Sequence, residues 1–416
     1  MIIIKKQTNT PLLLSLLMTL LLFSASACSN PSAVNIDADL REHKEGQAAA
    51  NKSAANTEKP AFTTKTVATF DEPWAMTALP TINNKLPKLL VTQRAGELWI
   101  VDTATGAKTA VTGSPKVAYG GQGGLGDIIL APDFATSNTV YMSYVEAGVG
   151  ADSNKFGAKV IKATLTGLET DTPSLQAITP IWVQTPKVKG QGHYSHRLLF
   201  SPDGRYLYIS SGERQQKTPA QDMSVNLGKI IRLNADGSVP TDNPFTENSN
   251  DIAAQFWSIG HRNVLGMAFD GKGRLWAHEM GPRDGDELNL IEKGKNYGWP
   301  LVSNGRNYSG TDIPDHNTRP NFSAPTISWT PVISPSSMSI YKAGKYNDFP
   351  AWQDNALISG LSSKSLIVVN FDDNNGDTDR YRYDMGERIR GVLNVNGQVW
   401  LLEDGDKGRL FQLLPQ

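Results

Sequence analysis

The sequence predicts an all-β protein built as a six-bladed β-propeller. Three observations carry that expectation. One pattern recurs six times along the 416 residues: an apolar strand, a Pro/Asp/Gly/Asn turn, then a second apolar strand ending in polar residues. No segment between the copies shows a long helical period. The copies spread over about 350 residues, roughly 50–60 per unit, which suits blades with long loops better than the closer, more even spacing of a sandwich.

In chain order the first unit is "LLVTQRAGELWIVD" (Leu89–Asp102) and the second "DIILAPDFATSNTVYMSYVE" (Asp127–Glu146). The third, "GHYSHRLLFSPDGRYLYISSGER" (Gly192–Arg214), folds about its "SPDG" turn as a hairpin. "GMAFDGKGRLWAHEMG" (Gly266–Gly281), "ALISGLSSKSLIVVNFD" (Ala356–Asp372) and "GVLNVNGQVWLLED" (Gly391–Asp404) complete the set.

The N-terminus carries an address. Lys5 and Lys6 precede the apolar run Pro11–Phe23, too short for a confident membrane span, and small residues follow it. Residues 1–27 therefore read as a signal peptide. Cys28, the only cysteine, sits directly after Ala25-Ser26-Ala27. "ASAC" fits a lipoprotein box, with leucine more usual at Ala25, and "ASA" also fits ordinary cleavage. An exported protein has little other use for one unpaired cysteine there, which favours lipidation. The expectation is an exported, periplasmic protein, anchored to the outer membrane where Cys28 is lipidated. Residues 28–60 are polar and low in complexity, a flexible tether. Residues 61–416 form the propeller domain. With no disulfide available, packing must stabilise it. Net charge is −1 with no basic block, which disfavours nucleic acid as a partner.

Candidate chemistry collects at strand ends. His193 lies ten residues before Asp203 in the third turn and Glu213 ten after it. An antiparallel hairpin brings the two side by side as a proton-transfer pair. The same reasoning about Gly271-Lys272 makes Arg262-Asn263 meet Gly281-Pro282. Gln122 lies in a glycine-rich approach to another first strand, and Arg388 and Arg390 just before the last. In a propeller these positions share one face around the central channel. Several arginines, a Gln, an Asn and one His–Glu pair suit a flat, oxygen-rich polyanion. There is no G-x-G-x-x-G after a strand, no P-loop and no H-E-x-x-H, so neither a nucleotide cofactor nor zinc is indicated. Trp257, Trp276 and Trp299 read as blade core, and His196 as structural or substrate-lining.

"GGQGGLGDIILAPDF", "GHYSHRLLFSPD", "GHRNVLGMAFD", "EMGPRDGDELNLI", "GKNYGWP" and "ERIRGV", in that order from about Trp74, resemble the soluble glucose/sorbosone dehydrogenase family. These are quinoproteins that use pyrroloquinoline quinone (PQQ) and Ca2+ on a six-bladed propeller, and the likeness is greatest to the bacterial aldose sugar dehydrogenases. The resemblance implies His193 as general base and Glu213 as its orienting carboxylate. It implies that Gln122, Arg262, Asn263, Tyr308, Ser336, Ser337, Arg388 and Arg390 meet the quinone. Lys364 stands near the place where relatives carry a lysine, displaced by Ser362-Ser363. The carbonyls of Gly281 and Pro282 would bind Ca2+, with Glu287 and Tyr297 at a second calcium position. The implied reaction is oxidation of an aldose substrate at its anomeric carbon, with electrons passing to an acceptor the sequence does not name. Two other readings remain: a metal-dependent propeller lactonase, which would need a carboxylate-rich channel, and a non-catalytic binding propeller.

Overall fold

The computed structural model describes residues 59–80, 86–248, 250–371 and 379–416. All of these fall in the compact unit Glu45–Gln416. The expected signal peptide, Cys28 and nearly all of the tether lie outside the described residues.

Six four-stranded antiparallel sheets, here blades I to VI, make a propeller. Their innermost strands are Pro73–Ala78, Leu125–Leu130, Ser195–Phe200, Val264–Phe269, Pro335–Ile340 and Ile389–Val395, each neighbouring the next around the ring. Each sequence unit falls in its own blade. Four span the first and second strands, but Leu89–Asp102 and Ala356–Asp372 span the second and third. In those two blades the inner strands, "PWAMTA" and "PSSMSI", are too mixed in composition to stand out. The strand Phe62–Phe70, absent from all six units, pairs with Gly408–Pro415 and completes blade VI, so the two ends of the domain clasp each other. Apolar clusters fill the space between adjacent blades, as where Leu90 and Ile100 of blade I meet Ile128 and Met142 of blade II. Burying these faces against one another is the main stabilising term.

Every inner strand slips in register near its start: at Pro73/Ala75, Leu125/Ile128, Ser195/Leu198, Val264/Gly266, Pro335/Met338 and Ile389/Gly391. Bulges re-aim side chains and leave N–H groups without a ladder partner. Here a hydroxyl on the second strand accepts the freed donor. Thr92 takes the N–H of Ala75 (3.0 Å), Ser143 that of Asp127 (2.8 Å), Ser210 that of Arg197 (2.9 Å) and Ser359 that of Ser337 (2.9 Å). The same hydroxyls reach the next blade: Thr92 donates to Gly126 O (2.7 Å), Ser210 to Val264 O (3.0 Å) and Ser359 to Arg390 O (3.2 Å), while Ser143 lies 2.7 Å from His196 Nδ1. Blades IV and VI place His278 and Leu402 at that position.

Arg197 spans the channel. Its Nη1 pairs with Asp127 of blade II (3.3 Å), while Nε and Nη2 donate to Leu265 O (2.7 Å) and Ser336 O (2.9 Å) of blades IV and V. Its guanidinium also lies 3.9 Å from the ring centroid of Trp74 in blade I. One buried side chain thus ties five blades and holds the strand starts in register around the mouth.

Candidate active site

The third blade brings His193 and Glu213 together, as the hairpin predicts. Glu213 follows the second strand and is 1% exposed; its Oε1 is hydrogen-bonded to His193 Nδ1 and accepts the N–H of Gln215 (3.0 Å), and its Oε2 accepts the N–H of Lys217. These bonds fix the carboxylate, so a neutral His193 carries its proton on Nδ1 and presents a bare Nε2. Among the described residues Nε2 has no hydrogen-bond partner. Burial, then the charge of Arg262, lowers the His193 pKa against the pull of Glu213. Burial alone would raise Glu213, but its contacts with His193 and the Arg262 charge outweigh it and hold the carboxylate below its ordinary range. The pair is a neutral imidazole on an ionised carboxylate.

His193 has φ +48°, in the left-handed region, where a side chain is strained. Gln122 supports it, its Oε1 accepting the His193 N–H at 2.7 Å, so this residue steadies His193 from blade II. His196 turns away: it stacks on Trp74 (centroids 4.9 Å) and bonds Ser143, packed between blades.

Blade IV supplies the second group. The Arg262 carbonyl accepts the Glu213 N–H (3.0 Å), its own N–H donates to Glu279 (2.6 Å), and Nη1 donates to Met280 O (3.0 Å). The guanidinium forms no ion pair among the described residues. Asn263 Oδ1 accepts from Ser195 Oγ (3.0 Å), and the Met280 N–H bonds Asn263 O (3.1 Å), so Arg262-Asn263 stands opposite Met280-Gly281. Asp286 holds the Gly281 N–H (2.8 Å) and those of Ile333 and Ser334, and burial raises its pKa to about 6.

Gly281, Pro282, Glu287 and Tyr297, assigned to two positions from sequence, line a single pocket with Arg262, Glu279 and Trp299. Glu279 and Glu287 stand directly opposite each other on adjacent strands. Burial and the Glu279 charge raise the Glu287 pKa well above its ordinary value. Asn289 Nδ2 donates to Glu287 (3.1 Å), and among the described residues its buried Oδ1 has no partner. Two buried carboxylates and an orphaned amide oxygen are a donor set that suits a hard cation such as Ca2+. Tyr297 can contribute only its carbonyl, because its hydroxyl donates to Leu290 O (2.5 Å) and accepts the Glu292 N–H. Trp299 is buried as expected, but it packs with Ala220 and Ile313 of the loops beyond the blade strands and also lines this pocket, 5.3 Å from the Arg262 guanidinium.

Arg388 and Arg390 flank the fully buried Ile389 and turn to one side, but neither is free. Asp404, which sequence reasoning overlooked although it ends the sixth unit, pairs with Arg388 Nε (2.7 Å) and Arg390 Nη2 (2.7 Å). The two arginines outweigh burial and hold Asp404 at about 2. Arg390 also donates to Ser336 Oγ (3.2 Å), and Ser337 donates its N–H to Ser359. Lys364 lies half-exposed, its Nζ on Gly386 O (2.9 Å) two residues before Arg388. Tyr308 is exposed, in a loop whose Asn307 accepts from Lys217 Nζ (2.8 Å) beside the Glu213 turn.

A family model for glucose / sorbosone dehydrogenase matches residues 70–412. The chain is 37% identical over 352 residues to the aldose sugar dehydrogenase YliI of Escherichia coli, covering 83% of this chain and 91% of that one. It is 26% identical over 371 residues to quinoprotein glucose dehydrogenase B of Acinetobacter calcoaceticus, covering 70% and 76%. Among solved structures it resembles the soluble aldose sugar dehydrogenase of Escherichia coli in its apo form (TM-score 0.77, 36% identity, 86% and 100% covered). It also resembles the PQQ-bound aldose sugar dehydrogenase of Streptomyces coelicolor (TM-score 0.69, 28% identity, 87% and 100% covered). The chain belongs to the glucose/sorbosone dehydrogenase family.

Proposed function

We propose that this protein is a quinoprotein oxidoreductase that converts aldoses to lactones, using PQQ and Ca2+. The observation that carries the reading is the His193–Glu213 pair with a bare Nε2, on the same channel face as Arg262, Arg388 and Arg390. Arg388 and Arg390 share a single carboxylate, Asp404, and the Arg262 guanidinium forms no ion pair among the described residues, so these forks suit a ligand with several carboxylates. The lactonase reading would need a carboxylate-rich channel instead.

In this reading Arg388, Arg390 and Ser336 would hold the quinone at one side, Arg262 and Asn263 at the other. The Gly281-Pro282 carbonyls with Glu287 and Asn289 would hold Ca2+. When bound, the quinone supplies the two-electron acceptor and the cation polarises it. The work of the chain is acid–base chemistry and positioning. His193 Nε2 takes the anomeric hydroxyl proton as the C1 hydride departs and the lactone C=O forms, while Glu213 keeps the other ring proton on Nδ1. Arg262 places positive charge where negative charge develops.

The proposal includes export through residues 1–27 and lipidation of Cys28, tested by labelled palmitate entering the wild-type protein but not Cys28→Ser. The activity itself is tested by reconstitution. Apo-protein given Ca2+ and quinone should acquire a quinone absorption band and reduce a dye with aldoses. A protein that binds no quinone and hydrolyses lactones would replace this reading.

A further inference from the structure

Arg214, next in sequence to Glu213, is 1% exposed and forms no ion pair among the described residues. A buried guanidinium without a carboxylate is costly, so its hydrogen bonds must account for its place. They all go to backbone or amide oxygens. Nε donates to Gly192 O (2.8 Å), Nη2 to Gly190 O (2.6 Å), and Nη1 to Phe156 O (2.5 Å) and Gln184 Oε1 (3.5 Å). The guanidinium lies 3.7 Å from the Tyr194 ring centroid, and the Arg214 N–H reaches His193 O (3.3 Å). The bonds to Gly190, Gly192, His193 and Tyr194 all fall within two or three residues of His193.

We infer that Arg214 is a positioning residue whose planar fork holds His193 in its left-handed backbone and so aims Nε2 into the channel. With Gln122 on its N–H, the preceding carbonyl on Arg214 Nε and its own carbonyl on the Arg214 N–H, His193 is gripped at both peptide groups. Only a rigid guanidinium reaches Gly190, Gly192 and blade II together; a lysine ammonium is a single point donor on a flexible stem. Gly212 gives the clamp room, since a Cβ there would lie 1.9 Å from His193 O. The inference rests on the reading of His193 as the base.

The test compares Arg214→Met and Arg214→Lys with wild type. Nitrogen-15 NMR of labelled histidine in the apo-protein reads the His193 tautomer without any turnover. The His193 ring, assigned by its loss in His193→Ala and so told apart from His261 on Glu279, should be Nδ1-protonated in a strong hydrogen bond in wild type and a mixture of tautomers in both variants. In quinone-loaded protein kcat should fall about 100-fold in both, as a misplaced catalytic group implies, with quinone affinity changed less than about 3-fold. Arg214→Lys keeps the charge and so serves if the methionine variant does not fold. Unchanged tautomer and kcat in the lysine variant would overturn the clamp. Failure of the base assignment gives a different pattern: full turnover in His193→Ala, whatever the NMR of Arg214→Lys shows.

Discussion

Glu279 and Glu287 face each other across neighbouring strands of blade IV, both buried, with the unpartnered Oδ1 of Asn289 in the same cluster. Like charges opposed on a sheet are destabilising unless a cation lies between them. Glu287→Gln should therefore raise the melting temperature of the calcium-free protein by about 1–2 °C, since about 1 kcal/mol of repulsion is removed. The same variant should lose most of the stabilisation that Ca2+ gives to wild type. Scanning calorimetry with EGTA and then with Ca2+ reads both signs. Equal calcium stabilisation in the two proteins would remove Glu287 from the site.

The two C-terminal arginines should not contribute equally. Arg390 is the more buried and also holds Ser336, whereas the Arg388 side chain keeps 29% of its exposure. Arg390→Ala is expected to weaken quinone binding by about 2–3 kcal/mol and Arg388→Ala by about 1–2 kcal/mol, for loss of charge-assisted bonds. The aldose KM at saturating quinone should change less in each. Titration of apo-protein with quinone at fixed Ca2+ orders the two, and the reverse order would show that Arg388 is the main anchor.

Acid should unfold this protein through buried neutral histidines. Burial drives His196 and His278 down to about 3. Their unfolded pKa is about 6.5, so the contribution of each is intact above that pH and is lost as pH falls toward 3. At pH 5 each costs about 2 kcal/mol. Among the described residues neither ring nitrogen of His278 has a hydrogen-bond partner, and blade VI carries leucine at the matching place. His278→Leu should leave stability at pH 7 unchanged or higher and recover about 2 kcal/mol at pH 5. Urea denaturation at the two pH values decides; an unaltered pH dependence would mean that His278 does not titrate on unfolding.

The fold was legible because each hairpin alternates strand and turn signals that need no tertiary context. The clasp was not, because Phe62–Phe70 is exposed on both faces over Thr63–Thr66, without the alternation that marks a strand, and its partner lies over 300 residues away. The pairing of His193 with Glu213 came out right partly through a compensating shift. The hairpin pairs Phe200 with Leu207, which extrapolates to Tyr194 opposite Glu213; the bulge between Ser195 and Leu198 moves His193 into that place. Counting from Asp203 absorbed the bulge unseen. Asp404, Glu279 and Trp299 were hidden for another reason. Each is an ordinary strand-end or loop residue until the ring brings blades together, and no local pattern marks which carboxylate an arginine will find.

His193 as the base of a quinone-dependent aldose oxidation is tested by a single-turnover experiment with quinone- and calcium-loaded wild type and His193→Ala, mixed anaerobically with an aldose and followed by quinone absorbance. Both proteins should bind the quinone with similar affinity. Wild type should then show rapid reduction of the quinone band, and the variant a rate lower by about 100-fold or more, the loss expected for a general base. Equal rates of reduction in the two proteins would contradict it.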